Sequence, residues 1–212
     1  MSTPRLMDIG LERLVNMLND MAALSKSAVE MAVESFKEGV AMQEEVFQIS
    51  EKLRWLQDEV ADLAVELIAR YQPVATDLRF LRSSMEVAYG FSRFGRYAYD
   101  ITQIITTFGS LKECEKKEVV EVSEIVKIMI ETSIKSFVER NKALAEELEK
   151  LDTVVDRAYK SHLLNSMSNQ NSKKCDMATM LMLRYLERIA DHATYIGDSV
   201  IYIVEGFRRP RK

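Results

Sequence analysis

A chain of 212 residues with 47% hydrophobic content is long enough to build one large or two small cores without a covalent staple. Its net charge of −4 removes any general attraction to nucleic acid, and its one concentrated basic run, the terminal RRPRK, is of the solvated-end type. No stretch reaches the roughly 20 apolar residues of a membrane span and MSTPRLMDIG has no signal-peptide core, so the expectation is a soluble, cytoplasmic chain that meets membranes only through a partner.

Seven Gly and three Pro leave room for long helices and little else. The first helix is predicted from about Asp8 to Lys37, with Leu11, Leu14, Leu18, Met21, Leu24 and Ala28 along one face and a stop near Gly39. A second follows from about Met42 to Tyr71. Pro73, suited to a first helical turn, opens a third that continues to Phe108 and Gly109. The second half repeats the scheme: Glu113 to Arg140, Ala143 to about Met167, and Cys175 to Glu205, with the polar loop SMSNQNSKK before the last helix and Gly206 and Pro210 after it. Cys114 and Cys175 are far apart and lack CxxC spacing, so they read as two ordinary reduced thiols.

An all-α fold of two three-helix units, residues 1–109 and 110–212, follows. Aligning FSRFGRYAYDI with LERIADHATYI keeps Arg93 on Arg188 and the apolar steps in register, which supports an internal repeat. Against that register the acids are asymmetric. Asp152 and Asp156 stand one turn apart in LDTVVD, and Glu187 and Asp191 one turn apart in LERIAD. The first-half counterparts are Ser50 and Arg54 in ISEKLR, and Ser92 and Arg96 in FSRFGR.

Residues four apart project from one helix face, so each acidic pair is a two-carboxylate claw, and two claws on neighbouring antiparallel helices supply the several oxygen ligands a hard cation wants. Spacing alone does not establish this, because Asp8/Glu12, Glu30/Glu34 and Asp58/Asp62 share it and belong to solvated faces. Position adds weight. The apolar stripe of the last helix runs Leu183, Leu186, Ala190, Ala193, Gly197, Val200, Val204, with Arg184, Glu187, Asp191, Thr194 and Asp198 beside it. Asp152 likewise flanks Leu144, Leu148, Leu151 and Val155, which places the acids at the shoulder of the bundle, open to solvent.

His192 points about 100° away from Asp191 on a helix and reads as an exposed or capping residue. His162 has no acid at helical spacing and reads the same way. Neither histidine follows a glutamate by three residues, as ferritin-like di-iron sites require. Asp77 belongs to a first helical turn, where a carboxylate meets the positive dipole end, and Arg79 is placed to bridge to a neighbouring helix. Trp55 and Tyr71 read as packing residues.

Three segments together resemble one family. ARYQPVATDLR (Ala69 to Arg79) is similar to the segment that opens the third helix of PhoU proteins, LERIADHATYIGD (Leu186 to Asp198) to their ERIGD-type motif, and LDTVVD to the DxxVD segment before it. The resemblance covers nearly the whole chain. It implies two pseudo-symmetric three-helix bundles in a spectrin-like array, with [DE]xxxD motifs on the second and third helix of each repeat that hold iron or other metal ions. It also implies a cytoplasmic, usually dimeric negative regulator that links the ATPase of a phosphate ABC transporter to a sensor histidine kinase. Carried over by position, the metal residues are Asp152, Asp156, Glu187 and Asp191, with Asp198 at the further acid. The first repeat departs from the motif at Ser50, Arg54, Ser92, Arg96 and Gln103. Arg54 and Arg96 repel a cation and have no lone pair to offer it, so metal is expected in the second repeat only.

The leading expectation is therefore a regulatory adaptor that is not an enzyme, with iron as the ion by resemblance and magnesium, manganese or zinc as the other carboxylate-compatible choices. A metalloenzyme built on the acidic cluster and a metal-free helical scaffold are the alternatives.

Overall fold

The structure, a computed structural model, describes residues 6–168 and 172–208. Most of the RRPRK tail, the first five residues and the centre of the polar loop before the last helix lie outside the described residues. Among the described residues there are six helices and no strand: α1 (Leu6–Glu38), α2 (Gln43–Tyr71), α3 (Ala75–Phe108), α4 (Lys117–Glu139), α5 (Lys142–Ser168) and α6 (Lys173–Glu205). None of them is long and apolar enough to cross a membrane.

The helix ends follow local chemistry. Gly39, Gly109 and Gly206 take positive φ just past their helices, and each returns its N–H to a carbonyl of the last turn. Between α4 and α5 the reversal takes two residues. Arg140 adopts the left-handed conformation at the end of α4, and the Asn141 carboxamide oxygen accepts from the Ala143 and Leu144 N–H groups at 3.0 and 3.3 Å. Two starts fall later than the sequence expectation. Val74 is extended and caps α3, so Pro73 precedes the helix instead of opening it. Residues 109–116 form a turn-rich connector, which delays α4 to Lys117.

Helices α1, α2 and α3 pack on one another, as do α4, α5 and α6, and the two groups meet through α3 against α6 and α1 against α4. The largest fully buried side chains, Phe36, Phe91, Phe94 and Phe137 among them, fill both groups and the seam. The seam is pseudo-symmetric. Tyr97 and His192, which occupy matching positions of the two repeats, face each other with ring centroids 5.8 Å apart. Glu86 reaches Ser199, and further along Arg79 reaches Ile203, so α3 and α6 run antiparallel. Arg79 donates to the Ile203 carbonyl at 3.2 Å and to the Thr76 hydroxyl at 3.0 Å, which ties the start of α3 to the last turn of α6. The bridging role expected of Arg79 is the one it has.

Three sequence readings need correction. Cys114 and Cys175 form a disulfide, because the connector folds back onto the start of α6; their separation of 61 residues along the chain carried no information about distance in space. Trp55 is 58% exposed on the outer helix α2 and is not a packing residue. His162 does have an acidic partner, Glu118 of α4 at 2.7 Å from Nδ1, contributed by another helix and so invisible to helical spacing.

Close approach of α5 to α6 depends on Gly197. A Cβ there would lie 3.1 Å from the Ala145 carbonyl oxygen and 3.2 Å from Leu148 Cδ1, and the backbone oxygen has no rotamer through which to escape. Gly197→Ala should therefore destabilise the protein by roughly 1–3 kcal/mol, read as a lower Tm in scanning calorimetry. At Gly90 the tight contact of a Cβ is with the Ile196 side chain, at 3.2 Å, and the His192 carbonyl oxygen stays at an ordinary 3.9 Å, so Gly90→Ala should lower Tm less.

Candidate metal centre

Helices α5 and α6 run antiparallel from the contact of Ala145 with Gly197, and following them in opposite directions brings Asp152 opposite Asp191 and Asp156 opposite Glu187. The four carboxylates act on one another electrostatically. The Asp152 carboxyl is pushed up to about 6, first by burial and then by the charges of Asp156, Asp191 and Glu187. Burial also raises Glu187 and Asp191, each with a carboxylate neighbour acting in the same direction. Asp198 lies two turns beyond Asp191 on α6.

The site is less open than the sequence suggested. Glu187 is 7% exposed, because α6 is the central helix of its group and also carries α3, so its buried arc extends past the apolar stripe to Ile189, Ile196, Ile201 and Ile203. Val204, expected in that stripe, is exposed instead. The charged groups that accompany the acids are local. Arg184 holds Glu187 Oε1 at 2.5 Å, Arg188 approaches Asp191 to 3.6 Å, and Lys160 holds Asp156 at 2.7 Å. Arg184 also lies over the Tyr159 ring, 5.5 Å from its centroid.

Among the described residues two buried carboxylate oxygens have no hydrogen-bond donor, Asp152 Oδ1 and Glu187 Oε2, one from each helix. An unpartnered buried carboxylate oxygen is costly, and a cation ligated by both would satisfy them. The donor set therefore fits a hard metal ion. The arrangement is not a finished coordination sphere: among the described residues no three His, Cys, Asp or Glu side chains converge closely enough to hold an ion. Arg184, Arg188 and Lys160 occupy the space around the acids that a bound cation would share, and they are the groups that would have to withdraw.

The matching place in the first repeat is built differently. Ser50 is buried, and Gly95 packs so closely on α2 that a Cβ there would fall 2.5 Å from Leu53 Cδ1 and 3.3 Å from Ser50 Cα. Arg54 pairs with Glu51 at 2.8 Å and Arg96 with Asp100 at 3.1 Å. The hydrogen bond from Arg54, with the field of Arg96 from the facing helix, holds Glu51 below the usual carboxylate range. Ser92 and Gln103 are half-buried on α3. Glu51 and Asp100 are acids that the repeat alignment passed over, since they fall between the motif positions; each has a guanidinium for its counter-charge.

His192 corrects the expectation of an exposed histidine. It is half-buried in the seam among Tyr89, Tyr97 and Tyr195, and burial, with Arg93 and Arg188 nearby, holds its imidazole down to about 4. It is neutral at physiological pH and faces Tyr97 rather than the acids.

The raised carboxyl of Asp152 has a definite consequence for stability. A folded-state value above the unfolded one favours the protonated form on folding, so its contribution is fully present below about 4 and is lost as pH rises through about 6. In chelator, Asp152→Asn should match the parent in Tm near pH 4 and melt higher above pH 6, where it should be more stable by about 1 kcal/mol once solvent screening is allowed for. Equal Tm values for the two proteins across that range would contradict the crowding of acids at this site.

With this geometry in place, the chain can be set beside known proteins. The pattern of the PhoU domain matches twice, over residues 18–105 and 119–200. The chain is similar to a "Phosphate-specific transport system accessory protein PhoU homolog" of Clostridium acetobutylicum, 32% identical over 211 residues that cover 96% of each chain. A homologue of the same description from Archaeoglobus fulgidus is 27% identical over 195 residues, covering 92% of this chain and 93% of that one. Among solved structures, PhoU from Pseudomonas aeruginosa superposes with a TM-score of 0.85 at 25% identity, covering 94% of this chain and 99% of the other. The phosphate transport system regulatory protein PhoU from Streptococcus pneumoniae superposes with a TM-score of 0.86 at 18% identity, covering 97% and 100%. Two domain matches in tandem, on six helices paired across a pseudo-twofold seam, place this chain in the PhoU family.

Proposed function

We propose that this protein is a cytoplasmic, homodimeric regulator of phosphate uptake that restrains a phosphate ABC transporter and phosphate-starvation signalling. It would do so by contact with the transporter ATPase and a sensor histidine kinase. The observation that carries the reading is the match of both halves to the PhoU domain, with relatives that align over nearly their full length and are named accessory proteins of phosphate-specific transport.

The metal part of the proposal concerns the second repeat only. Asp152, Asp156, Glu187 and Asp191 would hold the ion, iron by family resemblance or else magnesium, manganese or zinc, and Asp198 stands apart at the next motif position. A bound cation would supply positive charge that the acids otherwise draw from Arg184, Arg188 and Lys160. Those three residues partly neutralise the carboxylates; Arg184 does so while lying over the Tyr159 ring, and Lys160 is largely exposed and can turn into solvent. In the first repeat Arg54 and Arg96 bring positive charge to the motif positions and Gly95 packs closely on Leu53, which supports reading that repeat as one without an ion.

Two measurements test this. Metal analysis of purified protein should find ions that are lost in Asp152→Asn/Glu187→Gln and retained in Arg54→Ala/Arg96→Ala; metal bound between Arg54 and Arg96 would overturn the assignment. Binding of the intact protein to the transporter ATPase and to the kinase should change between phosphate-replete and phosphate-poor conditions. No binding to either partner in both conditions would sink the regulatory reading.

A further inference from the structure

The connector between α3 and α4 is the covalent link between the repeats, and it is fastened to α6 in two ways. Lys174 donates to the Ser110 carbonyl at 2.8 Å, and Cys114 is bonded to Cys175 in the first turn of α6; Leu111 of the connector is buried besides. The cysteine Cα atoms lie 5.3 Å apart, within the span that a disulfide bridges without moving the backbone. Everything between the two cysteines, which includes all of α4 and α5, becomes a closed covalent ring when the bond is present.

The bond is also reachable. A cavity of about 420 Å³, open to solvent, has both cysteines in its wall together with His162, Glu118 and Asp176. That volume admits a small thiol or disulfide to a pair that is otherwise largely covered. A structural cystine deep in a core has no such approach.

We propose that Cys114 and Cys175 form a reversible redox clip, closed and opened by exchange with low-molecular-weight thiols and disulfides, that fixes or frees the inter-repeat connector. Closure is balanced by one external disulfide. One cysteine thiolate attacks it, forming a mixed disulfide and releasing one thiolate; the second cysteine then displaces the other half. The two cysteines are oxidised, the external disulfide is reduced to two thiols, and the two cysteine protons end on those thiols. Opening is the reverse, with two external thiols as reductant. In a reducing compartment such a bond serves as a response rather than a permanent staple. With the clip open, the covalent tie of the connector to α6 is gone and the Lys174 hydrogen bond remains, so Lys112 and Lys116 on the connector, and Lys117 where α4 begins, stand on a less tightly held segment.

Full-length protein equilibrated across glutathione buffers, from fully reduced to fully oxidised, tests the clip by alkylation mass spectrometry and limited trypsin digestion. The expected result is an interconverting dithiol and disulfide, with cleavage at Lys112, Lys116 and Lys117 about tenfold faster in the dithiol form. Cys114→Ser and Cys175→Ser should digest like the reduced parent in every buffer, with helicity checked by circular dichroism; if either variant misfolds, the reduced and oxidised parent alone provide the comparison. Thiols that stay alkylatable in oxidised glutathione, a bond that survives every buffer, or cleavage rates within about twofold of each other would each overturn the proposal.

Discussion

Where α3 crosses α6, each helix is buried on two sides at once, by its own bundle and by the other, and the molecule is organised around that double burial. Antiparallel packing brings matching positions of the repeats face to face, so Tyr97 stacks near its counterpart His192, and small residues such as Gly90 let the backbones approach. Arg79 adds a charge-assisted hydrogen bond from the start of α3 to a carbonyl in the last turn of α6, where the helix dipole favours a cation. The QPVATDLR segment is thus a fastening between repeats, and nothing in its surroundings gives it chemistry to perform. Because α6 is central, an acid on its flank becomes a half-covered or buried acid, which is why Glu187 is enclosed although its place on the helix looks peripheral.

The two repeats answer the same electrostatic problem in different ways. A gap between two antiparallel helices lined with carboxylates is unstable unless positive charge enters it. In the first repeat the charge is covalent: Arg54 and Arg96 take two of the motif positions themselves and pair with Glu51 and Asp100. In the second repeat the motif positions remain acidic, and Arg184, Arg188 and Lys160 lean in from neighbouring turns while two carboxylate oxygens stay unsatisfied. The first repeat thus carries its counter-charge at the motif positions, and the second carries it at neighbouring turns and keeps its motif acids.

How much of this was legible depends on how local each feature is. The helices and their caps depend on neighbours within a few residues, so Gly39, Gly109 and Gly206 marked real stops, and the stripe from Leu14 to Ala28 is a real core face. Asp152 with Asp156 and Glu187 with Asp191 were visible because one turn of helix puts both members on one face. Glu51 and Asp100 were passed over because their importance comes from guanidiniums at positions where the motif has acids. His162 and His192 were misread for one reason: their partners, Glu118 and Tyr97, come from other helices.

The sequence by itself determined the six helices, the repeat, the family and the pairing of acids along each helix, since these follow from periodicity and from residues a turn apart. Only the tertiary structure decided which flank of α6 is buried, which side chains surround the paired acids, and that Cys114 meets Cys175. Those outcomes depend on the angle and register at which helices distant in sequence pack. That geometry is set by the sum of many small contacts across the seam, and no single residue or short motif encodes it.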